Sequence, residues 1–119
     1  MAEFDKSIIY ESVVDAIGLT LDDSSSMFKT EVLGHINASL GILHQAGCGL
    51  DMYVDETTTW IDFFGASGSQ GMAKQFVFTK VKMLVDPPIA STLKAMQALC
   101  DELLWRVEVA EGSTIMTLS

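Results

Sequence analysis

Between positions 27 and 46, Leu33, Ile36, Leu40 and Leu43 recur every three or four residues, and Phe28 and Val32 extend the run upstream. Only a helix of about 3.6 residues per turn brings residues so spaced onto one side. Gly47 then supplies the left-handed stop that commonly ends a helix. A rod of this length with one greasy side cannot stand alone in water, so the rest of the chain must cover it.

The neighbouring segments read as covering helices. From Phe4 to Ile17, Ile9, Val13, Ala16 and Ile17 keep helical spacing, with Gly18 as the stop. Asp22-Asp23-Ser24-Ser25-Ser26 is dense in residues whose side-chain oxygens cap helix N-termini, and it reads as the cap of the long helix. Residues 47–71 are irregular: Gly47-Cys48-Gly49 opens a loop, Thr59 caps a short helical turn through Phe64, and Gly65 to Gly71 reads as a linker. Residues 72–85 carry the strand-favouring run Phe76-Val77-Phe78-Thr79, yet their length and the Asp86-Pro87-Pro88 stop favour a helix packed on several sides. In the last helix, starting near Pro88 or Ser91, Ile89, Leu93, Met96, Cys100, Leu103, Leu104 and Val107 share a face and Trp105 points elsewhere. The expected fold is all-α: a small bundle of four main helices, with a long loop containing a short helical turn between the second and third, and an extended C-terminal tail. One domain spans 1–119, divided into an N-terminal helix and capping segment (1–26), a core bundle (27–109) and a docking tail (110–119).

Surplus apolar surface shapes the functional reading. Of the 119 residues, 49% are hydrophobic, which is much for a small monomer and points to a covered subunit face. Gly34, Ala38 and Gly41, with Ile42 beside them, lie well around the long helix from its apolar stripe. Each mid-helix glycine costs about 1 kcal/mol relative to alanine. Close approach of another backbone would account for that cost, either inside the domain or from a second subunit. Gly34, Ala38, Gly41, Ile42 and Trp105 are therefore the candidate subunit interface. The long loop and the uncharged tail supply the candidate partner-docking residues: Trp60, Phe63, Phe64, Ile115, Met116 and Leu118.

Charge narrows the choice of partners. Residues 1–62 hold eleven acids against Lys6 and Lys29, whereas residues 63–119 hold five acids and five bases, so the whole excess of −9 sits in the first half. No basic cluster exists to displace counterions from phosphates, which argues against tight nucleic-acid binding. The acidic half is either a solvated surface or a wall past which DNA slides. The N-terminus has neither the basic start nor the apolar run of a signal peptide, and Cys48 and Cys100 read as reduced thiols, so a soluble intracellular protein is expected.

No chemistry-bearing constellation emerges. His35 and His44 are nine positions apart on one helix, on opposite sides, and cannot share a metal. The glycines of 65–71 lack the Lys-Ser/Thr of a phosphate-binding loop. Asp22-Asp23 and Asp55-Glu56 are adjacent pairs whose side chains diverge. The expectation is no catalytic, cofactor or metal site.

Several short motifs together resemble a known family. His35-Ile36-Asn37 leads through Leu43 and Gly47 to Thr59-Trp60-x-Asp62-Phe63; then follow Lys80-Val81-Lys82-x-Leu84-x-Asp86-Pro87-Pro88 and Glu102-Leu103-x-Trp105-Arg106. Over roughly residues 27–109 the set resembles the small head–tail connector (adaptor) proteins of long-tailed bacteriophages. The resemblance implies a virion neck protein, assembled in the host cytoplasm, whose copies form a ring beneath the twelve-fold portal. Its implied partners are copies of itself, the portal protein and the next neck or tail protein, with DNA passing through the channel without specific binding. The same features fit a head-closure or tail-terminator subunit, although those are usually strand-rich, and a cytosolic helical protein–protein adaptor is the alternative outside virions.

Overall fold

The computed structural model describes residues 7–18, 26–65 and 69–112. Five helices form among them: α1 (Ile9–Ala16), α2 (Ser26–Gln45), α3 (Trp60–Phe64), α4 (Gln70–Val85) and α5 (Ala90–Ala110). The only strand-type pairing among the described residues is a single antiparallel bridge between Ile8 and Thr59. The all-α expectation holds, with four substantial helices and one short turn. The expected cap at Asp22–Ser25 and the tail residues Ile115, Met116 and Leu118 lie outside the described residues.

The stripe on α2 buries as its spacing demands. Val32, Ile36, Leu40 and Leu43 are all at most 1% exposed. α4 is the element they meet, and α4 also carries α5 on its other flank, while α2 and α5 barely touch. This central place explains why α4 looked apolar almost all round: Ala73, Phe76, Val77, Val81 and Met83 are buried against neighbours on different sides.

Local stops fall where the sequence places them. Gly18 (φ 84°) follows α1 and Gly47 (φ 97°) follows α2, both in the left-handed region. α3 begins with a reciprocal capping box, in which Thr59 accepts from the Asp62 amide and the Asp62 carboxylate accepts from the Thr59 amide. Two boundaries differ from expectation. α4 starts at Gln70, so Gln70 and Gly71 belong to the helix rather than to a linker. Ile89, expected on the buried face of the last helix, is 74% exposed, because it precedes the first turn of α5 and lies beyond the reach of α4.

A carboxylate ties the two ends of the C-terminal pair. Glu111, just past α5, accepts hydrogen bonds from the Ser69 amide (3.1 Å) and the Ser69 hydroxyl at the start of α4. A negative group at that point satisfies an orphan N–H and suits the positive end of the α4 dipole.

Candidate assembly surfaces

The loop after α2 is built on aromatic packing and backbone pairing. Its first residues turn back at once, with Cys48 N–H donating to Leu43 O at 2.9 Å. The chain then runs back along α2 and is pinned by Asn37, which accepts from Val54 N–H (2.7 Å) and donates to Val54 O (2.9 Å). Further back, Lys29 pairs with Glu56. At the bend, the Thr57 hydroxyl and amide and then the Thr58 hydroxyl donate to Asp55, which holds its carboxyl below the usual aspartate range.

This arrangement corrects the expected role of the loop aromatics. Trp60, Phe63 and Phe64 are 1%, 0% and 1% exposed, so they are core residues and offer nothing to a partner. Their spacing of three and four places all three on the inner side of α3 once the capping box starts that helix. Trp60 is the hub: its ring stacks on Phe64 with centroids 5.5 Å apart, meets Phe78 of α4 edge-on at 6.0 Å, and its indole N–H donates to Ser12 of α1 at 3.1 Å. Lys74 lies over the same ring at 5.4 Å, where partial burial lowers its affinity for a proton. The apolar residues the loop does present are Tyr53 (71% exposed) and Leu50 (53%), which the sequence reading passed over.

The small residues of α2 fall opposite its buried stripe. At about 100° per residue, Gly34, Ala38, Gly41 and Gln45 line the side facing away from Ile36 and Leu43, and all four are exposed. An ideal Cβ built at Gly34 or at Gly41 meets nothing within 4 Å. Among the described residues no close contact accounts for either glycine. Ile42 stands at the border of this face, half-buried against the core.

α5 also has two sides. Cys100, Leu103 and Val107 are buried against the bundle, while Ala95, Ala98, Glu102, Trp105 and Val109 recur on the opposite side at spacings of three and four, all exposed. Trp105, at 58%, is the largest of them, and Glu102 pairs with Arg106 at 3.0 Å beside it.

Among the described residues the histidines and cysteines stand apart from one another. Among the described residues no group of three His, Cys, Asp or Glu side chains could hold a metal. His35 lies 4.0 Å from Glu31, and His44 contacts the Gly49 carbonyl at 3.1 Å, so the two histidines are apart, as their spacing requires. Cys48 and Cys100 are both buried and stand outside any disulfide, and burial pushes the Cys100 thiol up, away from the reactive thiolate. No helix among the described residues is long and apolar enough to cross a membrane.

Among the described residues α2 and α5 each present an exposed face, and comparison with known families says what kind of scaffold carries them. Residues 9–114 match the family model described as phage connector protein. The chain is a member of that family. No curated protein and no solved structure matches it. A phage connector is a structural part of the neck, joined to other head and tail proteins, and the connector described here carries the all-α fold that the motif resemblance implied.

Proposed function

We propose that this connector is an adaptor subunit that forms a homo-oligomeric ring under the portal and joins the capsid to the tail around the DNA channel. One observation carries the reading: the α2 face of Gly34, Ala38 and Gly41 lies opposite the core with open space above both glycines. About 2 kcal/mol of helix propensity is given up there for no contact among the described residues, which supports a contact supplied by another subunit. Tyr53, Leu50 and the residues Ile115, Met116 and Leu118 of the tail supply further apolar groups for the portal and the next neck protein. The acidic excess and the absence of a basic cluster in the sequence suit a channel past which DNA moves without sticking.

Native mass spectrometry of the purified chain, alone and mixed with portal rings, tests this. A closed oligomer is expected in at least one condition, and a chain that stays monomeric in both would favour a solitary protein–protein adaptor. Gly41→Leu sharpens the test. Filling open space with a better helix former raises monomer stability by about 1 kcal/mol, while the same side chain blocks the ring. Parallel loss of folding and assembly would remove Gly41 from the interface.

A further inference from the structure

A groove of about 230 Å³ lies at the junction of α1, α4 and α5, where Ala16, Phe78, Met96 and Leu99 give it apolar walls. Its polar lining is already engaged. The Gln75 side-chain amide donates to the Thr79 hydroxyl at 3.2 Å, and Lys82 lies 3.9 Å from Asp86. Leu99 is still 40% exposed, and Phe78 and Met96 are half-buried. Such a groove suits a carbon-rich occupant rather than an ion.

The same side of α4 leads to the end of the bundle where the C-terminal segment begins. Gly71, Gln75, Phe78 and Lys82 recur at spacings of three and four, so they share one side of the helix. A Cβ built at Gly71 meets nothing within 4 Å, which leaves that side open up to the first turn. At this end Glu111 is tied to Ser69, so the chain leaves α5 beside the start of α4. Gly112 follows with φ 74°, the left-handed conformation by which a chain turns off the end of a helix.

Reach and composition name the occupant. From Ser69 to Phe78, α4 rises about 14 Å, at about 1.5 Å per residue. An extended chain leaving Gly112 covers about 13 Å by Met116 and about 20 Å by Leu118, at roughly 3.3 Å per residue. Residues 113–118 carry Ile115, Met116 and Leu118 and no charge. A segment tethered this closely meets its own groove at roughly millimolar effective concentration, well ahead of a second copy in dilute solution.

We infer that in the free subunit residues 113–118 fold back along the α4–α5 groove of their own chain, and that Met116 and Leu118 seat against Phe78, Met96 and Leu99. The inference concerns a single chain and stands or falls independently of ring formation.

Methyl NMR of the full chain tests it. With Met, Ile and Leu methyl groups labelled, an Overhauser contact should join Met96 to Leu118 or Leu99 to Met116. Absence of both would overturn the docking. Copies labelled only at Met are then mixed with copies labelled only at Ile and Leu, and these contacts should vanish. Their survival would place the segment in another copy's groove and overturn the in-chain reading. Leu99→Asp sets a charge in the groove at an exposed position, with circular dichroism to check folding. Amide hydrogen exchange at residues 114–118 should then quicken by roughly fivefold or more, and exchange equal to wild type would overturn the proposal. Met116→Asp approaches from the other side and leaves the bundle untouched. It should shift the Met96 and Leu99 methyl signals, and unmoved signals would likewise overturn the contact.

Discussion

Gly49 shows how much one missing side chain can fix. Its φ is 87°, and an ideal Cβ built there would overlap the Phe63 ring. The backbone therefore touches the aromatic cluster directly, while Leu50 N–H donates to Phe63 O at 2.9 Å beside it. Gly49→Ala combines left-handed strain of about 1–2 kcal/mol with overpacking of about 1–3 kcal/mol, so urea unfolding should show a loss of about 2–5 kcal/mol. Gly18, with a similar φ of 84° and nothing within 4 Å, is the control. Its alanine variant should lose only the strain, about 1–2 kcal/mol. Equal losses at the two sites would mean that Phe63 yields without cost. Asn37 fixes the loop in a different way, by meeting both the N–H and the C=O of the fully buried Val54, groups whose burial without partners would be costly.

At the scale of the elements, the link from Glu111 to Ser69 joins the end of α5 to the start of α4. A charge-assisted hydrogen bond of this kind contributes about 1.5–3 kcal/mol when well enclosed, and less where water reaches it, as it does at the half-exposed Glu111. Glu111→Ala should therefore cost about 1 kcal/mol, concentrated at one end of the helix pair. Amide hydrogen exchange at Ser69 and in the first turn of α4 should quicken by roughly fivefold to tenfold, with the middle of α2 unchanged. Uniform quickening, or none, would show that the link does not hold that end. The helices themselves were legible from spacing and stops: α1, α2 and α5 through their three–four periodicity, α3 through its threonine cap, and α4 through its length and the Asp86-Pro87-Pro88 stop. What misled was exposure in the loop. Trp60, Phe63 and Phe64 sit in an irregular region, which suggests docking, yet their own spacing of three and four marks an inward face. The link from Ser69 to Glu111 joins residues 42 apart in sequence, and no local pattern announces such a pair. The glycine face of α2 was visible as a stripe, but a sequence cannot distinguish a tight internal contact from open space.

For the whole molecule, the governing quantity is a net charge of −9, which every copy in the proposed ring would repeat. Like-charged subunits repel, and the repulsion is screened over a Debye length of about 10 Å at 0.1 M salt and about 3 Å at 1 M. Since the proposed contact is apolar and glycine-lined, raising salt from roughly 0.05 M to roughly 0.5 M should increase the assembled fraction in sedimentation velocity. Assembly that weakens over the same range would point to an interface held by ion pairs instead.

α5 runs for 21 residues, about 31 Å, and among the described helices α4 is its one substantial support. A rod fastened along a single edge is stiff against sliding and compliant against peeling. A pull on its outer side would load Cys100, Leu103 and Val107, buried along the seam, together with Leu93, Met96 and Leu104 packed beside them, before it reached the aromatic cluster.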